Sequence, residues 1–125
     1  MAGSVAHTYT TARDGAPVQV VTFDWLCDAS GVVSGNNSQA VYGVVNRAVF
    51  VPDGGGTAPT ALYDATILDE HGFDVLGGNG ANRSATVTEE VVPTSLNRAI
   101  AGYLTLGITN AGNAKGGLVH LYLSK

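Results

Sequence analysis

The stretch 103–124, "YLTLGITNAGNAKGGLVHLYLS", decides the fold class. Its first part puts Leu104, Leu106 and Ile108 at every second position. Its last part does the same with Val119, Leu121 and Leu123, leaving Leu118, His120 and Tyr122 on the opposite side. A period of two is the signature of extended chain with one face buried. Between the runs, "NAGNAKGG" is rich in residues that turn a chain, so the pattern predicts a terminal β-hairpin.

Working outward, the same period recurs. In "VQVVTFDWLCD" (18–28), Val21, Phe23, Trp25 and Cys27 share one face; Thr22, Asp24 and Asp28 share the other with Val18, Val20 and Leu26. "QAVYGVVNRAVFV" (39–51) is a second long β run, stopped by Pro52-Asp53-Gly54-Gly55-Gly56. "TALYDATILD" (60–69) follows, then the turn Asp69-Glu70-His71-Gly72 and a short return, "FDVL". "SATVTEEVV" (84–92) reads as a strand ended by Pro93. No apolar stripe of period 3.6 lasts three turns, and only Leu96 to Ile100 has room for one turn of helix.

About seven or eight strands separated by turn clusters predict an all-β antiparallel sandwich, of jelly-roll or immunoglobulin-like form. At 125 residues the chain is long enough for one core and short for two. Residues 18–125 are therefore read as a single domain, and the polar, Thr- and Ala-rich residues 1–17, ending in Asp14-Gly15-Ala16-Pro17, as an arm that is loose or laid on a partner.

Composition narrows the function. Only 13% of residues are charged, a low figure that suits burial against a neighbour. The net charge is −4 and the six basic residues are scattered, which argues against a nucleic-acid groove. Cys27, the single cysteine, can form no internal disulfide and reads as a small buried hydrophobe. The N-terminal residues lack the basic and apolar regions of an export signal, and no apolar run approaches a membrane span, so synthesis in a cytoplasm is expected.

Four constellations bear on chemistry. Gly77-Gly78-Asn79-Gly80 lacks both the lysine of a phosphate loop and the third glycine of a dinucleotide fingerprint, and the segment after it is β-prone; a plain connector is expected. Asp64, Asp69, Glu70, His71 and Asp74 lie close in sequence, but the twelfth position counted from Asp69 is Gly80, where a calcium loop needs Glu. Solvated turn carboxylates are expected instead of a metal site. His7, His71 and His120 fall in separate segments, and no Gly-x-Ser-x-Gly elbow is present, so neither a catalytic residue nor a cofactor is predicted. Trp25 belongs to an apolar strand face, which suits a core better than a sugar platform, and the sequons at Asn36 and Asn82 read as polar loop residues.

Segments 52–84, "PDGGGTAPTALYDATILDEHGFDVLGGNGANRS", and 102–124, "GYLTLGITNAGNAKGGLVHLYLS", together resemble small β proteins found in the virion gene clusters of tailed bacteriophages. The resemblance covers a little under half of the chain. It implies a structural virion component, foremost a capsid cement or decoration protein on the outer head surface, often trimeric and bound to the major capsid protein. A neck, tail or fibre component and a carbohydrate-binding module are the alternatives. In such a protein, residues 1–17 would be the arm and the loops 29–38, 52–59 and 77–84 the contact tips.

Overall fold

The computed structural model describes residues 3–10, 18–35, 37–92 and 98–124. They form eight strands and one short 3-10 turn, Gly55–Thr57: β1 Ser4–Thr10, β2 Val18–Leu26, β3 Val41–Pro52, β4 Asp64–Leu68, β5 Glu89–Val91, β6 Ala99–Gly102, β7 Thr105–Thr109 and β8 Gly116–Ser124. The protein is all-β, and every strand pair is antiparallel.

A large sheet runs in the order β1-β2-β8-β3-β5, with β6 paired to the first residues of β3 on the side away from β8. A small sheet holds β4 and β7. Its edges are lengthened by bridges from Val33 and Asn37 to β7, and from Tyr63 to Arg83 beside β4. Between the sheets lies one core. Val21, Phe23 and Trp25 of β2, Val45, Ala48 and Phe50 of β3 and Val119, Leu121 and Leu123 of β8 meet Ala65 and Ile67 of β4 and Leu106 and Ile108 of β7. The expected antiparallel sandwich is thus the observed architecture.

Period-two patterning placed the buried faces correctly. Val21, Phe23 and Trp25 are sealed in the core, and so are Leu104, Leu106, Ile108, Val119, Leu121 and Leu123. In β3 the buried series Val41, Val45, Ala48, Phe50 slips by one residue, because a β-bulge between Val45 and Arg47 leaves Asn46 as the extra residue. Asn46 Nδ2 donates to the Ser124 hydroxyl across that gap.

Four expectations differ from the structure. First, the terminal hairpin is absent: β7 pairs with β4 and β8 pairs with β2 and β3, so the 110–115 connector crosses from one sheet to the other. The two apolar faces oppose each other through the core instead of lying side by side. Alternation reports which face is buried and says nothing of the hydrogen-bonded neighbour. Second, Ser4–Thr10 of the expected arm is edge strand β1, in register with β2 from Ser4↔Leu26 to Thr10↔Val20. Residues 11–17 of that arm lie outside the described residues. Third, β5 keeps only Glu89–Val91 of the expected 84–92 strand. Fourth, Ala99 and Ile100 of the possible helical turn are extended in β6, while Leu96 and Asn97 lie outside the described residues.

Candidate functional site

The acidic cluster resolves into separate backbone anchors. Asp74 Oδ1 accepts from the N–H groups of Ile67 and Leu76, and its Oδ2 from Gly78. Asp69 Oδ1 accepts from His71 and Phe73, which holds the Asp69 carboxyl below the usual carboxylate range, the Phe73 bond contributing most. Asp64 takes Asn82 N–H on one oxygen and Asn110 Nδ2 on the other. Asp28 does the same work in the preceding loop, accepting from Ser30 and Val32. Each carboxylate is therefore committed to N–H donors that a turn would otherwise leave unpaired. Among the described residues no group of three acidic, His or Cys side chains converges on a point that could hold a metal ion.

The glycine-rich stretch has a structural task. Residues 74–83 run back beside β4 and saturate its outer edge: Val75 N donates to Ile67 O, Ala65 N to Gly80 O and Arg83 N to Tyr63 O. At Gly80 a Cβ would sit 2.1 Å from the Ala65 carbonyl oxygen, so no side chain fits there. The opposite edge of the small sheet is covered in the same way. Val33 and Ile108 exchange N–H···O bonds, and Ser38 bonds Leu104 with both its backbone and its hydroxyl. Loops 29–38 and 77–84 are thus edge covers as well as surface turns.

The three histidines stay apart. His7 is half-buried on the inner face of β1, its ring edge-on to Phe23 at 5.4 Å. His120 is on the outer face of β8, where its Nδ1 shares a 2.8 Å hydrogen bond with Thr22 Oγ1. His71 is exposed in the 69–73 turn, 3.9 Å from Glu70. Burial lowers the pKa of both His7 and His120. Cys27 is buried; its Sγ donates to Gly112 O and accepts from Lys115 N, fastening the sheet-crossing connector to β2.

One shallow cleft of about 160 Å³ lies between the 69–71 turn and β6, lined by Asp69, Glu70, His71, Ala99–Gly102 and Tyr103. The Glu70 carboxylate, at the end of a flexible side chain, rests where a Cβ on Gly102 would be. Trp25 is in the core against Tyr63, ring to ring at 5.4 Å, and presents no platform to solvent. The exposed aromatic side chains are Tyr42, Phe73 and Tyr103.

A further surface feature extends the partly apolar outer side already legible in β2. The outer face of the large sheet carries Val18, Val20 and Leu26 from β2, Leu118 and Tyr122 from β8, and Val44, Val49 and Val51 from β3, interrupted in the middle by the hydrogen-bonded pair Thr22–His120. The flanking charges are Asp24 and the pair Arg47–Glu90, joined at 2.8 Å with the Arg47 guanidinium stacked over Tyr122. The sequence signal was present in the apolar Val18, Val20 and Leu26 on the nominally polar side of β2. Compared with models of protein families, with curated proteins and with solved structures, the chain has no match.

Proposed function

We propose that this chain is a structural assembly protein of a tailed-bacteriophage virion: a decoration or cement protein that seats the outer face of its large sheet on the major capsid protein at the head surface. The phage context rests on the resemblance of residues 52–84 and 102–124; the docking mode rests on the apolar outer face. That face is the single observation carrying the reading. A two-sheet fold needs only one apolar face per sheet, and a second face on which apolar side chains outnumber the polar Thr22–His120 pair suits a place where another molecule sits. The reading is of a non-enzymatic trimer, made in the host cytoplasm and kept on the particle without nucleic acid or membrane. With eight strands and a connector that crosses between sheets, we read the sandwich as jelly-roll-like rather than immunoglobulin-like. A neck or tail position would use the same face.

The test is the composition of purified particles. The chain is expected at a copy number that matches sites on the capsid lattice, and accessible to antibody on intact heads. Its absence from particles overturns the proposal; a copy number of a dozen or fewer moves it to the neck or tail. A carbohydrate-binding role is the second reading, favoured by the cleft where Tyr103 stands beside Glu70 and His71. Retention on a glycan surface that Tyr103→Ala abolishes would select it.

A further inference from the structure

In the large sheet, β1 is an edge strand held on one side only: its partner strand among the described residues is β2. Its outward side chains are Ser4, Ala6 and Thr8, all exposed; Val5, His7 and Tyr9 face inward and are half-buried. The middle one of these three, His7, is the polar one. Its Nε2 is buried with no hydrogen-bond partner, and the ring rests edge-on against Phe23, its register partner in β2. A neutral imidazole tolerates this position as an aromatic surface; a charged one would have to leave water for an apolar wall.

Among the described residues, no acidic side chain faces His7 to compensate such a charge. On its own strand the neighbours on that face are Val5 and Tyr9, the hydroxyl of Tyr9 accepting from Gln39 N–H. On β2, Phe23 is flanked by Val21 and Trp25, while Asp24 points to the opposite face. The third element is the 32–39 segment, whose Val32 and Val33 backbone closes on Gly3 and which contains no Asp, Glu, Lys or Arg. Among the described residues of these elements, Tyr9 is the titratable group that faces His7. Burial alone lowers the His7 pKa from 6.5.

We propose that β1 is an acid-sensitive latch: protonation of His7 detaches Ser4–Thr10 from β2, uncovering the β2 edge and the Phe23 face for another strand. This stands on the edge position, the unpaired Nε2 and the absence of a counter-charge among the described residues, and does not depend on the virion reading. The sign follows from linkage. Because the folded-state pKa lies below the unfolded one, the stabilisation from neutral His7 is complete above pH 6.5 and is lost as the pH falls through the lowered folded value.

The experiment is amide hydrogen exchange on the purified chain between pH 7.5 and 5, with rates corrected for the intrinsic pH dependence and His7 ionisation followed by NMR. Protection of the Ser4–Thr10 amides is expected to fall about tenfold for each pH unit that separates the folded and unfolded titrations. Amides shared by β3 and β8, in the middle of the sheet, keep their protection. His7→Phe, which retains the ring contact, and His7→Gln, which is neutral and smaller, should both lose the pH dependence; His120→Gln should retain it. Unchanged β1 protection across the observed ionisation of His7 overturns the proposal, and so does the same loss in either His7 variant.

Discussion

Tyr63 concentrates the residue-scale physics of the core. Its side chain is fully buried against Trp25 and its hydroxyl has no hydrogen-bond partner. Burial pushes the phenol up to about 12, countered in part by Arg83 and reinforced by Glu89. A buried hydroxyl without a partner costs about 1–3 kcal/mol, so Tyr63→Phe is expected to raise unfolding stability at pH 7 by about 1 kcal/mol in urea denaturation. A raised folded pKa means stability that is complete below pH 10 and lost as the pH climbs toward 12; that alkaline limb should flatten in the variant. Asp74 makes the opposite case. Asp74→Ala strips an acceptor from Ile67, Leu76 and Gly78 and is expected to cost about 2–4 kcal/mol, whereas Asp74→Asn keeps the Oδ1 bonds and should cost about 1. Equal losses in the two would rule out the anchoring role. The turn from Asp69 to Gly72 was legible in the sequence, but "FDVL" read as a return strand, whereas only Asp74 bridges back to Leu68 and residues 75–80 are turn. Which N–H groups each carboxylate would collect was not legible, because those donors include Ile67 on β4, positioned only when the loop folds back.

At the scale of elements, the sequence reported burial faithfully and partnership poorly. β2, β7 and β8 were readable because each carries an apolar residue at every second, buried position, and β3 because it is a long run rich in β-branched and aromatic residues. β1 was not, since its inward residues Val5, His7 and Tyr9 alternate with Ser, Ala and Thr in a pattern of low apolar contrast. The β7–β8 pairing failed for a different reason: the 110–115 connector contains turn residues whether it closes a hairpin or arches between sheets. Cysteine cross-linking separates the two geometries. Thr66 and Gly107 are register partners in β4 and β7, and a Cβ on Gly107 would lie 2.8 Å from Thr66 Oγ1. The pair Thr66→Cys and Gly107→Cys is therefore expected to oxidise readily and to add about 3–4 kcal/mol by closing a loop of roughly 40 residues. Gly107→Cys with His120→Cys would pair in a hairpin centred on the connector. In the sandwich these positions are on the outer faces of opposite sheets, and the second pair should stay reduced by mass spectrometry; a bond there would disprove the crossing.

For the molecule as a whole, the decisive contrast is between its two kinds of outer surface. The small sheet has both edges covered by loops fastened through Asp28, Asp64, Asp74 and Ser38, so its backbone groups are satisfied within the chain. The large sheet instead leaves a partly apolar outer face, in which Val20, Tyr122, Leu118, Val49 and Val51 surround the hydrogen-bonded Thr22–His120 pair, with Asp24 and Arg47 at their cross-strand positions. Period-two reading treats such a face as the polar side of a strand, and only the assembled sheet brings its apolar members together across three strands. Charge placed on that face tests what it is for. Val20 and Val49 are half-buried, and a lysine there can extend its ammonium into water, so Val20→Lys and Val49→Lys should each shift unfolding stability by less than about 1 kcal/mol. Any partner seated on the face must bury that ammonium, and its binding should weaken about tenfold or more, equivalent to at least ~1.4 kcal/mol. Light scattering of the purified chain reads this for self-association, and sedimentation with capsids reads it for the particle. Thr8→Lys, exposed on edge strand β1, is the matched control and should affect neither. If the lysines at positions 20 and 49 leave both assemblies intact, the face is solvent-exposed in the working protein and the docking mode is wrong.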